Sequence, residues 1–356
     1  LSGHESVASF QLGTILCAPL KTSGATLGVL YADHPSPAGS LSESAINLFA
    51  AFCNLAAVAI DNALTHRHMV EEKRELEKHL RRSREGYAEI IGMSAAMQTL
   101  RERIALVADS PLDVLIWGES GTGKELVARA LHRTGRRAGG PFVAVDCGSL
   151  SDSLVESEFF GYRKGSFTGA LENRAGLLEA GQGGVIFLDE VSNLSSKLQS
   201  KLLRVLQERE IRRIGEAVPR KIDVQVIAAT NKNLHEEIRK GRFRRDLYYR
   251  LNAMQVRVPP LRERMEDMPL LLEWFLEKTA QLEGGRSKSF SGEAIELLRA
   301  YSFPGNVREL RNIVQSSYYS CPRRLIGIEH LPLEVREPER EKEMTELVEL
   351  GAAHIY

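Results

Sequence analysis

A glycine-rich loop that carries one lysine is the part of this sequence best suited to chemistry. It occupies residues 118–125, which read GESGTGKE. We expect Gly118, Gly121 and Gly123 to adopt positive φ angles, so that successive backbone N–H groups point into one concavity and bind an anion. Lys124 would then place its ammonium group on the outer phosphates of a nucleotide. The loop therefore predicts a phosphate-binding site.

The residues on either side of this loop predict the elements that hold it. An apolar run at 114–117 stops abruptly at Gly118, and apolar residues recur at helical spacing after Lys124. The N-terminus of such a helix would add its dipole to the anion site. The alternative is a glycine-rich turn that serves only as architecture. Glu125 stands where most loops of this type have a serine or threonine that contacts magnesium.

Two carboxylates at the end of a second apolar run form another candidate group. Residues 184–190 read GVIFLDE. Four consecutive apolar residues are typical of a buried parallel strand, and the carboxyl ends of such strands face a ligand crevice. We expect Asp189 to hold magnesium through water and Glu190 to orient and polarise an attacking water. The alternative is a strand that ends in two carboxylates by chance.

A third predicted strand covers residues 223–229 and is followed by Thr230 and Asn231. The Asn231 amide could bond to a γ-phosphate or to the lytic water, although asparagine at a strand end is more commonly a turn former.

Composition limits the classes of function. The chain has 356 residues, 43% of them hydrophobic, which is enough for about two domains with real cores. Its 47 basic residues balance its 47 acidic residues, so net charge favours neither nucleic acid nor membrane as the main partner. Cys17, Cys53, Cys147 and Cys321 are far apart and predict neither a disulfide framework nor a zinc site. We expect a cytoplasmic protein, and the start at Leu1 suggests a fragment of a longer one.

The first 65 residues predict a small α+β segment. Residues 14–19 and 26–32 read as a β-hairpin, and a helix is expected from 42 to about 63. The apolar stretch 48–60 is predicted to be too short to span a bilayer and to form a buried helix. Residues 66–85 are almost wholly charged and predict a solvated helix, either an exposed connector or a coiled-coil rod with a sparse seam.

The string APLKTSGATLGVLYADHP, followed by AAVAIDNA, resembles the second half of a GAF sensory domain. The pocket residues that such a domain uses for a ligand are not present, so we assign no ligand. A packing or dimerisation remnant is the simpler interpretation.

Six motifs between about residues 90 and 332 resemble the central AAA+ domain of the sigma-54-dependent transcription activators, the bacterial enhancer-binding proteins. They are GESGTGKE, ESEFFGYRKGSFTGA, GGVIFLDE, AATN, GRFRRDLYYRLN and FPGNVREL, in that order. The resemblance implies an α/β fold, an AAA+ P-loop NTPase with a parallel sheet flanked by helices and an α-helical lid, preceded by the partial α+β GAF-like segment. The predicted domains are a GAF-like half (1–65), a charged linker helix (66–88), an α/β nucleotide-binding subdomain (89–258), a helical lid (259–335) and a charged tail without a visible DNA-binding domain (336–356).

The same resemblance implies individual roles. Lys124 would bind the β- and γ-phosphates, Asn231 would act as a first sensor, and Arg308 would act as a second sensor from the lid. It also accounts for Glu125, because the family's loop characteristically reads GKE. The implied nucleotide contacts are Ile91, Gly118, Glu119, Ser120, Gly121, Thr122, Gly123, Lys124, Glu125 and Arg308. The implied catalytic residues are Lys124, Asp189, Glu190, Asn231, Arg244 and Arg250. The implied cofactors are ATP and Mg²⁺, with Asp189 as the metal residue.

Arg244 and Arg250 match the family's arginine fingers, which stabilise charge on the transferring phosphoryl group from a neighbouring subunit. A monomer would then be nearly inactive. Arg245 beside Arg244 leaves a one-residue ambiguity, and ion pairing with Asp246 is the alternative for these arginines.

Residues 165–170, GSFTGA, match the family's GAFTGA loop, with Ser166 in place of alanine. The glycines that bracket Phe167 and Thr168 favour a mobile, exposed loop over a core position. The resemblance implies that Gly165, Phe167, Thr168 and Gly169 contact sigma-54. Residues 208–221 match a second, hairpin-like loop packed near the first.

Asp146 is a further departure, because the family commonly has an asparagine there that holds the catalytic glutamate in an inactive pose. A carboxylate would repel Glu190 unless one of the two is protonated.

The resemblance implies a machine that hydrolyses ATP to remodel the closed complex of sigma-54 RNA polymerase holoenzyme. It would be a homo-oligomer, a dimer when inactive and a hexameric ring when active, with no membrane partner, and would reach DNA only through a domain absent from this chain. The alternative from another class is a nucleotide-gated regulatory or binding module that does not remodel sigma-54. A P-loop kinase or helicase is a third reading, but it gives GSFTGA no role.

Overall fold

A computed structural model of the chain describes residues 14–22, 25–34, 42–148, 152–167, 170–285 and 287–337. The chain divides into two compact units, residues 1–81 and 82–356. The boundaries of the five segments expected from the sequence stay predictions.

The first unit contains the predicted hairpin and helix. Strands β1 (Thr14–Lys21) and β2 (Thr26–His34) pair in antiparallel fashion, and helix α1 (Glu43–Gly86) follows. The helix is one continuous element, so the apolar and the charged helical segments are joined without a break. Leu20, Cys53 and Ala57 form the small core between hairpin and helix.

The prediction that the apolar stretch 48–60 forms a buried helix was wrong. Leu48, Phe52, Leu55 and Val58 are between 55% and 73% exposed within the residues that the structure describes. Helical periodicity places apolar residues on more than one face of α1, and the hairpin covers only one face. By length and composition, the segment Glu43–Thr65 of α1 is apolar enough to cross a bilayer. One such helix is weak evidence of a membrane span, because the core helices of soluble proteins pass the same test.

The second unit is built on a five-stranded parallel sheet with the order β11-β3-β10-β7-β4. The strands of this unit are β3 (Val114–Trp117), β4 (Phe142–Asp146), β5 (Gly161–Tyr162), β6 (Arg174–Ala175), β7 (Val185–Asp189), β8 (Glu210–Ile211), β9 (Arg220–Lys221), β10 (Gln225–Thr230), β11 (Met254–Arg257), β12 (Ser289–Phe290) and β13 (Leu325–Ile326). Its helices are α2 (Ala95–Ala108), α3 (Lys124–Thr134), α4 (Asp152–Phe160), α5 (Leu177–Ala180), α6 (Ser196–Glu208), α7 (Leu234–Arg239), α8 (Arg245–Leu251), α9 (Met268–Glu283), α10 (Gly292–Ala300), α11 (Asn306–Ser320) and α12 (Leu333–Arg336).

Both faces of the central sheet are covered, which explains why its strands read as continuous apolar runs. In β7, Val185 and Phe187 pack with α2 and α3, whereas Ile186 and Leu188 pack with α4, α6 and α8 on the other face. Because all five strands are parallel, the ends of β3, β7 and β10 lie along one edge. The predicted α/β fold is confirmed.

The predicted helical lid is also confirmed. Helices α9, α10 and α11 form a hydrophobic core of their own that includes Phe275, Leu298 and Leu310. The short parallel strands β12 and β13 add Phe290 and Ile326 to this core. The amphipathic segments seen in the sequence supply these helices.

One buried carboxylate connects the lid to the start of the part that contains the parallel sheet. Asp267 is 2% exposed and accepts hydrogen bonds from the N–H of Met93 (2.5 Å), the N–H of Ser94 (2.8 Å) and the Ser94 hydroxyl (2.6 Å). These donors lie at the N-terminal end of α2, so the lid and the sheet helices are linked at a buried point.

We expect Asp267→Ala to lower the free energy of unfolding by roughly 3 kcal/mol, because it leaves buried donors without an acceptor. The neighbouring exposed residue gives the matched control, and Glu266→Ala should stay within about 0.5 kcal/mol of wild type. Urea unfolding followed by circular dichroism measures both. Equal stability of the two variants would contradict this role of Asp267.

Candidate functional site

The glycine-rich loop connects β3 to α3, as predicted. Gly121 (φ 76°) and Gly123 (φ 99°) adopt the left-handed conformation that glycine favours. The expectation of a positive φ at Gly118 was wrong. Glycine is needed there for space, because an added Cβ would lie 3.0 Å from the Val258 carbonyl oxygen and 3.1 Å from the Thr122 hydroxyl.

The lysine of the loop meets a carboxylate from a different strand. Lys124 is 6% exposed, and its Nζ lies 3.5 Å from Glu190 Oε1 and 3.3 Å from the Glu119 carbonyl oxygen, to which it donates. A buried ammonium needs such partners, since an unpaired charge away from water is costly. The structure therefore brings together the two groups of residues singled out from the sequence.

The carboxylates after β7 occupy a constrained turn. The Glu190 N–H donates to Asp189 Oδ1 (3.0 Å), and Glu190 has a φ of 51°, which is uncommon outside glycine. Glu190 Oε2 is buried and has no hydrogen-bond partner among the described residues. Burial raises the pKa of Asp189, and the nearby Lys124 charge partly opposes that rise. Local strain and an unsatisfied oxygen at one residue are typical of a functional site.

The donor set here fits Mg²⁺ better than a metal held mainly by protein. No cluster of three or more His, Cys, Asp or Glu side chains that could hold a metal occurs in the described part of the chain. Mg²⁺ is commonly held by one or two carboxylates together with phosphate oxygens and waters. The half-buried Asp189 beside the phosphate-type loop matches that pattern.

Asp146 lies at the end of β4, opposite Asp189 in the sheet register. Its Oδ1 accepts the Gly148 N–H (2.8 Å). Burial is the main cause of the raised pKa of Asp189 and of the Cys147 pKa, which is raised to about 12. The negative charge of Asp146 adds to both shifts, so Asp146 affects the site through its charge.

A cavity of about 620 Å³ connects the loop with the lid. Of the residues predicted to act there, it is lined by Ile91, Gly121, Thr122, Gly123, Lys124, Glu125, Asp189, Glu190 and Arg308. Its apolar end is formed by Met97, Leu100, Leu271, Trp274 and Phe275, none of which was singled out from the sequence. Their only sequence signal was helical periodicity, which predicts a buried face and not a pocket.

Arg308 reaches the loop from the lid. Its backbone N–H donates to the Gly121 carbonyl (3.2 Å) and its Nη1 donates to the Ser120 hydroxyl (3.2 Å). Arg262, Arg264 and Asn306 also bind the loop, although sequence reasoning assigned them no role.

Six of the predicted nucleotide-binding and catalytic residues do not line this cavity. Gly118, Glu119 and Ser120 belong to the loop itself, and the other three lie elsewhere. Asn231 is exposed just beyond β10. Arg244 forms a bidentate ion pair with Asp246 (3.0 and 2.7 Å), and Arg250 donates to the Leu206 carbonyl (2.7 and 3.2 Å). Within one chain, the ion-pair alternative is thus what Arg244 adopts. Arg245 lies over the Tyr249 ring.

The GSFTGA loop presents an aromatic ring at the surface. Phe167 is 45% exposed and contacts Tyr162 edge to face, with ring centroids 5.0 Å apart. Gly165 has a φ of 82°. Thr168 and Gly169, predicted to contact the same partner, lie outside the described residues.

The hairpin of β8 and β9 lies against this loop, as the sequence predicted. The Arg163 N–H donates to the Ile214 carbonyl (3.0 Å), and Ser166 packs on Gly215, where an added Cβ would meet Ser166 Cβ at 2.8 Å. The Ser166 hydroxyl is buried and finds no partner among the residues that the structure describes.

Comparison with known families gives three matches in chain order. Residues 2–60 match the GAF domain, residues 90–257 match the Sigma-54 interaction domain, and residues 262–347 match the AAA+ ATPase lid domain.

Similar proteins are bacterial regulators. Transcriptional regulatory protein ZraR of Salmonella typhimurium is 40% identical over 350 residues, which is 94% of this chain and 79% of ZraR. Response regulator protein PilR of Pseudomonas aeruginosa is 50% identical over 232 residues, which is 65% of this chain and 52% of PilR. This chain therefore spans about half the length of PilR.

Among solved structures, NtrX from Brucella abortus in complex with ADP is similar, with a TM-score of 0.65 and 34% identity. The match covers 84% of this chain and 62% of the NtrX chain. NtrX in complex with ATP matches with a TM-score of 0.64 and 33% identity.

The close approach at Gly121 generates a prediction. An added Cβ would lie 2.2 Å from the Gly305 carbonyl oxygen of the lid, at a φ of 76° that alanine tolerates poorly. We expect Gly121→Ala to weaken binding of a fluorescent ATP analogue by at least about tenfold and to destabilise the fold by roughly 2 kcal/mol. Gly139→Ala, where an added Cβ meets nothing within 4 Å, is the control. Equal binding by both variants would contradict the proposed crowding.

Proposed function

Because this chain belongs to the sigma-54-dependent transcriptional regulators, we propose that it is an ATPase that remodels the closed complex of sigma-54 RNA polymerase holoenzyme. The convergence of Lys124, Asp189 and Glu190 on one cavity with the lid residue Arg308 carries this proposal. The occurrence of NtrX in complex with ADP and with ATP supports a nucleotide as the ligand of this cavity.

The loop amides and Lys124 would hold the phosphates, and the apolar end of the cavity would hold the base. Asp189 would hold Mg²⁺, which neutralises phosphate charge when it is bound. Glu190 would orient and polarise the attacking water, a task for which its unsatisfied Oε2 has free acceptor capacity. Asn231 would act near the γ-phosphate only if the loop after β10 turns toward the cavity.

Arg244 and Arg250 would act in a neighbouring subunit of a ring, which we propose to be a hexamer that forms from an inactive dimer. This assignment is supported by their position outside their own chain's cavity and by their surface exposure. A guanidinium supplied across an interface makes hydrolysis depend on assembly.

Phe167, with Thr168 and the flanking glycines, would contact sigma-54 and transmit the hydrolysis cycle to it. The half-exposed ring on a loop with a left-handed glycine supports this role, since a ring meant for the core would be covered. We propose that the protein acts in the bacterial cytoplasm.

Hydrolysis should depend on protein concentration. We expect the ATPase rate per subunit to rise with concentration, and Glu190→Gln and Arg250→Ala each to lower kcat by at least about 10³-fold. A mixture of the two variants should recover part of the activity, because some interfaces then combine an intact Glu190 with an intact Arg250. Rates measured at several concentrations test this.

Arg239→Ala is the matched control, since it removes an exposed arginine that lies near Arg245 and has no predicted finger role. Failure of the mixture to exceed its components, while each variant still binds ATP, would contradict action across an interface. A rate independent of concentration would do the same.

Capture of sigma-54 tests the remodelling activity. In the presence of a transition-state analogue of ATP, we expect immobilised protein to retain sigma-54, and Phe167→Ala to abolish retention without lowering nucleotide affinity. Leu171→Ala, which removes another exposed apolar residue nearby (82% exposed), is the control. No capture with any nucleotide, despite normal ATPase activity, would favour a nucleotide-gated regulatory module.

A further inference from the structure

Lid side chains form hydrogen bonds with the phosphate loop that have no role in the proposed hydrolysis reaction. The Glu119 carboxylate accepts two hydrogen bonds from Arg262 (2.5 and 2.7 Å) and one from Asn306 Nδ2 (3.1 Å). The same Asn306 amide donates to the Ser120 carbonyl (3.0 Å). We call Glu119, Arg262 and Asn306 the lid clasp.

Asn306 is the fixed point of the lid clasp. Its side chain is fully buried, and its φ of 53° is unusual for a residue other than glycine. Its Oδ1 accepts the Leu261 N–H (2.8 Å) while its Nδ2 serves the phosphate loop. The amide thus joins the loop, the beginning of the lid and the turn before α11.

The ion pair in the lid clasp is suited to orientation more than to stability. Arg262 and Glu119 are 53% and 39% exposed, and solvent screening leaves exposed pairs of this kind with little effect on stability. The hydrogen bonds from Arg262 are the largest cause of a Glu119 pKa lowered to about 2, so the pair stays charged at neutral pH. A two-point guanidinium–carboxylate contact fixes the relative direction of both groups.

The residue that the lid clasp can orient is Arg308. It lies in the same first turn of α11 as Asn306, and it reaches the loop at Gly121 and Ser120. A rigid helical turn that moves with Asn306 must carry Arg308 with it.

We propose that Glu119 is a positioning residue that couples the phosphate loop to the lid through Arg262 and Asn306, and so fixes Arg308 relative to the phosphates. This inference rests on the proposed function for the identity of the ligand as ATP. Loss of the coupling leaves the loop amides and Lys124 in place but lets Arg308 drift. Binding of ATP then suffers more than binding of ADP, because only ATP has the terminal phosphate.

The test measures nucleotide affinity in the absence of hydrolysis. The Kd of a fluorescent, slowly hydrolysed ATP analogue and that of fluorescent ADP are determined for the full chain, for Glu119→Gln, for Arg262→Gln and for the double variant. We expect each single change to reduce the preference for ATP over ADP by about tenfold. The double variant should resemble the singles, since both changes break one contact.

Glu263→Gln is the matched control. It breaks the Arg257–Glu263 pair (2.6 Å), whose side chains are 52% and 39% exposed and which lies in the same turn as Arg262 but makes no hydrogen bond to the phosphate loop among the described residues. Its ATP preference should equal that of wild type. Arg262→Lys keeps the charge without the two-point geometry, and it should lie between wild type and Arg262→Gln.

Thermal unfolding without nucleotide tests whether each variant is folded. If Glu119→Gln does not fold, the affinities of Arg262→Lys provide the readout. An unchanged preference in the folded lid-clasp variants, an equal loss in Glu263→Gln, or additive losses in the double variant would overturn the proposal. A wild-type chain that binds neither nucleotide would instead refute the proposed ATPase function, so the two failures are distinguishable.

Discussion

The contact between Lys124 and Glu190 is the interaction on which the candidate site depends. The Lys124 side chain is 6% exposed and the Glu190 side chain is 22% exposed, and the 3.5 Å contact between them gives the buried ammonium group a charged partner in place of bulk water. An anion that enters the glycine loop competes with Glu190 for the same ammonium group. In the proposed mechanism, binding of phosphate therefore also releases the carboxylate that must polarise water. One cation would connect substrate binding to activation of the base.

The parallel sheet makes this contact possible. Lys124 follows β3 and Glu190 follows β7, and β10 lies between these strands in the sheet. Only parallel strands with both faces covered would deliver these residues to one edge in a place shielded from water. The apolar runs that identify the strands are thus also the reason why the charged residues at their ends meet.

The parts of the site that are formed by residues close together in sequence could be predicted from the sequence. The contacts between residues that are far apart in sequence could not. A strand, a glycine loop and a helix follow from residues within a few positions of Lys124, and the structure has all three. The lid residues Arg262, Arg264 and Asn306 reach the loop from 142 to 187 positions away, and no periodicity encodes such a pairing. The prediction that the apolar stretch of α1 is buried failed for a related reason. Periodicity shows that a helix face is apolar but not which surface of the protein covers it. At Gly118, residue type alone could not separate a need for positive φ from a need for space.

The strength of the present contacts of Arg244 and Arg250 decides whether these side chains are available for a role across a subunit interface. The Arg244–Asp246 pair is 42% and 46% exposed, so solvent screens it and it contributes little to stability, and Arg250 is held by a neutral carbonyl oxygen. Phosphate groups in a poorly hydrated interface offer a guanidinium a stronger partner than either. Each arginine could therefore leave its present contact at little cost when a neighbour's nucleotide comes within reach. In the proposed ring, the ion pair with Asp246 and the contact with a neighbour's nucleotide would be two states of Arg244, and assembly would select between them.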